Sequence, residues 1–224
     1  MYLSKVTLQR TTQTAKLFLE LGAKGSYASH QLLWQLFLGE TERGFLFREE
    51  MTPQGLPEFY VLSLNPPQGE LALFNIQTKV FNPQLSDGQR LSFKLRVNPT
   101  ICVTDSEGRS KRHDVVMHAK HKSKQAGEHD QTKLKVIMDN AAHQWISNEK
   151  RLAEWGVSLD FLPEIERYTQ HQGVKKAVNK ISFSSVDFQG TLTVKNPVVF
   201  VERLKKGFGR SKALGCGLML IRPI

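Results

Sequence analysis

Tyr27 and His30 stand three residues apart at the opening of the stretch "GSYASHQLLWQLF", residues 25–37. Leu32, Leu33, Leu36 and Phe37 follow at helical spacing and form one apolar stripe, while Tyr27, His30 and Trp34 fall on a neighbouring stripe at i, i+3 and i+7. Ser26 is placed to cap the helix. Tyr27 and His30 are then expected in its first turn, beside free backbone N–H groups and the positive end of the dipole, where phosphates are favoured. Histidine there gives or takes a proton near neutral pH. The competing reading is a core helix whose phenol and imidazole do nothing but cap it.

A second run with chemical potential closes the chain. In "GFGRSKALGCGLML", Gly207, Gly209, Gly215 and Gly217 bracket Arg210 and Lys212. Glycines let backbone approach a ligand and adopt positive φ, and the basic residues suit a phosphate backbone. This is not a Walker loop, because Lys212 is followed by Ala-Leu-Gly and the run enters a strand instead of a helix. A tight helix-to-strand turn explains the same residues. Three basic clusters precede it: "RSKRH" at 109–113, "HAKHKSK" at 118–124 and "KKAVNK" at 175–180. Each alone reads as a solvated surface; together, Arg109, Lys111, Arg112, Lys175, Lys176 and Lys180 suit an RNA-binding face. His113, His118, His121 and His129 lie nearby, but no cysteine pair joins them and no structural zinc spacing occurs, so no metal site is expected.

The charge distribution agrees with a polyanionic partner. The chain of 224 residues carries 31 Lys plus Arg against 21 Asp plus Glu, net +10. Residues 1–96 hold net +2 and residues 97–224 net +8, so the excess lies in the second half. An apolar fraction of 40% supports a packed core and argues against wholesale disorder. No run approaches the roughly 18 apolar residues of a membrane helix, and "MYLSKVTLQR" lacks the apolar stretch of a signal peptide, so a cytoplasmic protein is expected. Cys102 and Cys216 are too few and too far apart for a disulfide framework.

The elements that must position these residues follow from pattern. "YLSKVTLQ" alternates as a half-buried strand, and the opening helix runs on to about "LGE". "GFLFREE", "PEFYVLSL" and "RLSFKLRVN" read as strands, and "ELALFNIQTKVF" as a short helix followed by a strand. In the second half "TICVTD" and "HDVVMH" read as a hairpin, and "KLKVIMDNAAHQWISNEKRLAEWG" as one helix. "VSLDFLPEIERYT" and "ISFSSVDFQGTLTV" read as strands, with "QHQGVKKAVNK" a basic loop or hairpin tip. "NPVVFVERLKKG" is an amphipathic helix with Pro in its first turn and Gly after its end. Each half repeats the layout strand, helix, strands, helix, strand. The predicted fold is α+β, two tandem ferredoxin-like (RRM-like) domains over 1–96 and 97–224.

"MYLSKV", the Tyr-x-x-His opening a helix with Trp34 and Phe37 behind it, "FLFREE", "LRVNP" and "GFGRSKALGCGLMLIRP" occur in this order. That pattern resembles the CasE family, the repeat-processing endoribonucleases of type I-E CRISPR systems, over nearly the whole chain. Between about 114 and 180 the likeness is one of charge and layout only. The resemblance implies tandem ferredoxin-like domains and metal-independent cleavage of repeat RNA at the 3′ base of its stem-loop, with no cofactor. It implies 2′,3′-cyclic phosphate and 5′-hydroxyl ends, and an enzyme that stays on its product within the Cascade complex. By matching spacing, His30 and Tyr27 take the family's catalytic positions; a third, basic catalytic residue finds no clear match, since Lys24 precedes the tyrosine and Gln31 follows the histidine.

Such chemistry needs a proton taken from the 2′-hydroxyl, one given to the leaving 5′-oxygen, and charge stabilised on the phosphate. His30 suits either proton transfer. Tyr27, with a reference pKa of about 10, suits orientation by its hydroxyl better than base catalysis. The alternative is an RNA-binding scaffold subunit of a CRISPR ribonucleoprotein that does not cut. An enzyme acting on small acidic metabolites is disfavoured, because no cofactor motif is present.

Overall fold

The structure is a computed structural model that describes residues 1–224 except 10, 13, 15, 17–25, 69–72, 105 and 176–178. In the first half, β1 (Tyr2–Leu8) lies between β3 (Pro57–Ser63) and β4 (Phe74–Val80), and β2 (Phe45–Met51) pairs with the outer side of β3. All three pairings are antiparallel. Helix α1 (Ser26–Trp34) packs its apolar stripe into this unit: Ala28, Leu32, Leu33, Leu36 and Phe37 are buried together with Val6, Phe45, Phe47, Phe59 and Val61. Each such Leu or Phe removed from water contributes about 1.5–3 kcal/mol before entropy is counted. The helix ends earlier than "LGE". Gln35, Leu36 and Phe37 donate backbone hydrogen bonds three residues back, so the chain tightens after Trp34. The short helix expected at the start of "ELALFNIQTKVF" falls on 70–72, outside the described residues; its strand is β4.

The second sheet has the order β11-β5-β10-β8, with β9 also on β10. Its strands are β5 (Arg90–Val97), β8 (Val157–Leu159), β9 (Glu164–Lys175), β10 (Asn179–Val194) and β11 (Met219–Pro223). Both sheets thus place the last strand beside the first, the first beside the third, and the second outermost, as two ferredoxin-like units do. The expected division at 96/97 cuts through the end of β5. That strand pairs with β10 and β11 along its length, so the change from one sheet to the other falls between Val80 and Arg90.

Two expectations are corrected. The hairpin is β6 (Thr100–Thr104) with β7 (Ser110–Asp114), and "VVMH" is not its second strand. It opens α2 (Val115–Gln125), because the Asp114 carboxylate accepts from the Met117 amide and caps a helix there. The single helix expected over 133–156 is two, α3 (Gln131–Ile146) and α4 (Glu149–Trp155); Asn148 caps the second by accepting from Arg151 N. An asparagine at helical spacing hides this break in the pattern. Helix α5 (Pro197–Lys206) starts at its proline, as expected. Between the units lies a small cluster of Leu46, Leu62 and Leu218, backed by Tyr60 and Phe81. Among the described residues, no helix is long and apolar enough to cross a membrane.

Candidate active site

Helix α1 stands at the seam between the two units. It packs on β9 and on the 3-10 turn Lys212–Leu214 of the glycine-rich run, and β2 touches the same turn. The two candidate motifs, at opposite ends of the sequence, therefore meet. His30 is half-buried; its Nε2 lies 3.0 Å from Trp34 Nε1, which donates to it, and its ring packs near Phe45, 6.2 Å between centroids. Tyr27 is helical in backbone, but its side chain, like that of Ser26, lies outside what the structure describes.

The residue beside His30 is tied to a buried polar network that sequence reasoning missed. Ser29 Oγ donates to Glu49 Oε2 at 2.6 Å, and Arg96 Nη1 donates to the Glu49 carbonyl oxygen at 2.6 Å. Burial pushes the Glu49 carboxyl above the usual carboxylate range, against the opposing pull of the Ser29 hydrogen bond and the Arg96 charge. Asp187 on β10 holds Arg96 through both carboxylate oxygens, and also faces Arg48 Nη2 at 3.3 Å. Arg48 pairs with Glu50 as well. Nearby, His171 Nε2 shares a hydrogen bond of 2.8 Å with Ser185 Oγ, and the ring stacks on Phe183 at 4.4 Å. Burial, with Arg96 adding to it and Asp187 opposing, holds His171 below the ordinary histidine range.

The glycine-rich run is shaped by its own packing. Gly217 has φ +89°, and a Cβ there would lie 2.7 Å from the Phe208 carbonyl oxygen. Gly215 has φ +82°, and its Cβ would press on Phe47 of the first unit at 3.2 Å. These glycines let the run fold over β2. Gly207 and Gly209 also take positive φ. Cys216, fully buried between Gly215 and Gly217, has its thiol pushed up to about 12 by burial. Lys212 Nζ donates to the Lys206 carbonyl oxygen at 2.6 Å and so caps α5.

The other basic candidates divide. Arg112 and Arg210 line one cleft of about 570 Å³ with His113, Gln170, Phe183 and Ser211, so strand β7 and the glycine-rich run present cations together. Lys111 is exposed on β7, and Arg109 pairs with Glu107 at 2.7 Å in the hairpin turn. Within "QHQGVKKAVNK", the residues up to Lys175 lie on β9 and those from Asn179 on β10, which pair with each other. Lys175 and Lys180 lie on these strands with side chains not described, and Lys176 is outside the described residues. His113 and His118 have ring centroids 5.3 Å apart, and among the described residues no group of three or more His, Cys, Asp or Glu is arranged to hold a metal ion.

The sequence model described as CRISPR associated protein matches residues 1–223. The chain belongs to the CRISPR associated protein family. It is similar to the CRISPR system Cascade subunit CasE of Escherichia coli, 28% identical over 228 residues with both chains wholly covered. It is also similar to the CRISPR-associated endoribonuclease Cse3 of Thermus thermophilus, 27% identical over 247 residues, again with both wholly covered. The solved structure of CRISPR endoribonuclease Cse3 bound to 19 nt RNA matches with a TM-score of 0.72 and 25% identity over all of both chains. A second Cse3 structure from Thermus thermophilus, with an RNA representing a pre-cleavage complex, gives 0.70 and 25% over 99% of this chain and 98% of that one.

Within this family frame, the residues missed at the sequence level are Ser29, Glu49, Arg96 and Asp187. A signal for two of them was present. "FLFREE" and "LRVNP" place charges on strands whose other residues are strongly apolar, and a charge in such a strand needs a buried partner.

Proposed function

We propose that this chain is an endoribonuclease that cuts CRISPR precursor RNA within the repeat, at the 3′ base of the stem-loop, without a metal ion, and stays on the mature guide RNA within Cascade. One observation carries the reading. Helix α1, which carries the half-buried His30, packs on β9 and on the glycine-rich turn of the second unit, so a proton-transferring ring is carried by the helix that meets the basic half of the chain. The activity of Cse3, the RNA bound in its structures and the membership of CasE in Cascade support the same reading.

In this reading the 2′-hydroxyl next to the scissile phosphate loses its proton and attacks phosphorus. The bond to the 5′-oxygen breaks, and 2′,3′-cyclic phosphate and 5′-hydroxyl ends remain. His30 carries a proton in this exchange, a role that typically contributes about 10²–10⁴-fold. Tyr27 orients the hydroxyl or phosphate. Arg112 and Arg210 meet backbone phosphates from their shared cleft, with Arg109, Lys111, Lys175, Lys176 and Lys180 assigned more broadly to the stem, while Lys212, held by the Lys206 carbonyl oxygen, shapes the glycine-rich turn. Stem recognition rests on backbone charge and shape, since the A-form major groove is too deep and narrow for ordinary side-chain readout. We divide the chain within 81–89, place the catalytic histidine in the first domain and the basic surface in the second, and assign the protein to the cytoplasm.

The test is to incubate the pure protein with its repeat RNA in excess EDTA and map the ends. One cut leaving cyclic phosphate is expected, with a 2′-deoxy residue 5′ to the scissile phosphate blocking it. His30→Ala should bind and not cut. Cleavage that returns only with Mg²⁺, or cleavage of the deoxy analogue, would refute the mechanism.

A further inference from the structure

Trp34 lies one helical turn beyond His30, at i+4, and its Nε1 donates to His30 Nε2 at 3.0 Å. An indole nitrogen is only a donor. Nε2 must therefore present its lone pair, and the neutral ring carries its proton on Nδ1, the opposite of the tautomer that a free histidine side chain prefers. An imidazolium, with N–H groups at both nitrogens, has nothing to offer this donor. The indole is itself held in place. It meets Phe45 edge-on, 5.6 Å between centroids at 78°, and Phe45 stacks on Phe37 at 4.7 Å and 14°. Phe45 and Phe37 are both buried, so the direction of the N–H is fixed by the core of the first unit.

We propose that Trp34 is a positioning residue: it holds His30 in the Nδ1–H tautomer, with Nε2 as the nitrogen that accepts a proton, and so makes His30 the general base. This rests on the reading of His30 as the catalytic histidine. On binding, the 2′-hydroxyl of the RNA replaces the indole as the donor to Nε2. The O2′–H bond breaks and an Nε2–H bond forms. The ring becomes an imidazolium while O2′ attacks phosphorus, and the departing 5′-oxygen takes its proton from solvent water. A base in the wrong tautomer presents a hydrogen where it needs a lone pair, and mis-set tautomers cost enzymes heavily.

The test uses the full-length protein with ¹⁵N-labelled histidine. At a pH where the ring is neutral, long-range ¹H–¹⁵N spectra of the RNA-free wild type should show His30 Nε2 unprotonated and Nδ1 protonated. In Trp34→Phe, which keeps an aromatic ring against Phe45, the ring should revert towards Nε2–H. Under single-turnover conditions with saturating protein, that variant should cut about tenfold more slowly or worse, with unchanged affinity for an uncleavable 2′-deoxy repeat RNA. A purely structural role would lower stability and leave the nitrogen shifts alone. A wild-type ring in the Nε2–H form overturns the proposal outright. So does a Trp34→Phe protein with wild-type nitrogen shifts and wild-type cutting while His30→Ala is inactive; the function reading then stands without it. Wild-type cutting by His30→Ala would overturn both.

Discussion

Asp187 accepts two hydrogen bonds from Arg96, 2.8 Å from Nε and 3.0 Å from Nη2, across the β10–β5 pairing of the second sheet. The same Arg96 reaches the Glu49 carbonyl of the first sheet, so one carboxylate anchors the guanidinium that joins the two units. Arg48, only 2% exposed, shares this carboxylate and already leaves its Nη1 buried with no hydrogen-bond partner among the described residues.

Asp187→Asn should therefore be costly. It keeps the shape and removes the negative charge that the buried Arg48 and the half-buried Arg96 face, which in buried pairs costs about 3–5 kcal/mol. Urea unfolding checks this; a loss below about 1 kcal/mol would show that Glu50 alone neutralises both arginines.

Among the glycines of the terminal run, Gly217→Ala should destabilise far more than Gly209→Ala. Both need left-handed backbone, which costs an L-residue about 1–2 kcal/mol. At Gly217, however, the added Cβ also meets the Phe208 carbonyl oxygen at 2.7 Å, whereas at Gly209 the nearest atoms stand at 3.7 Å. Equal shifts in unfolding midpoint would contradict this packing.

His171 should give the protein an acid-sensitive step. Its neutral ring is favoured in the fold, so the unfolded chain takes up the proton first. Stability is then fully present above the ordinary value of 6.5 and is lost as pH falls through the lowered folded value. Melting temperatures of His171→Gln should decline less than those of the wild type over that interval. Parallel declines would mean that other groups carry the acid limb.

Salt dependence separates the basic residues. Arg112→Ala and Arg210→Ala, which share a cleft, should each reduce the slope of log affinity against log salt by about 0.7–0.9. Lys212→Met should act mainly on stability, because its ammonium is already committed to the end of α5. A slope change at Lys212 as large as at the two arginines would reverse that assignment.

Much of this architecture was legible in the sequence. Alternation gave β1, runs between Gly and Pro breaks gave β2, β3 and β5, Pro and Gly bounded α5, and the stripe of Leu32, Leu33, Leu36 and Phe37 gave α1 with His30 to one side of it. Capping side chains defeated the pattern elsewhere. Asp114 turned "VVMH" from strand to helix, and Asn148 split one helix into two. The seam was not legible at all. That Ser29 reaches Glu49, or Arg96 reaches across to the first sheet, depends on how two units dock, and periodicity within one strand or helix carries no information about docking.

The hairpin of β9 and β10 has a mechanical side. β10 pairs with β5 only from Val186 onwards, while its pairing with β9 extends back to Asn179, so about seven residues of two-stranded ribbon, some 20 Å at about 3.3 Å per residue, overhang the sheet. The ribbon is a cantilever. A register shift between Asp187 and Phe188 lies next to its clamp, and among the described residues Asp114 props Ser184 and Ser185 props His171 along its inner part. A load applied at the tip has its longest lever arm about the clamp, beside the carboxylate that ties Arg96 to the first unit. Bending the arm therefore strains the seam on which α1 rests, and because α1 packs on β9 itself, stiffness at Asp187 sets how much of a pull on the ribbon is passed to the helix of His30.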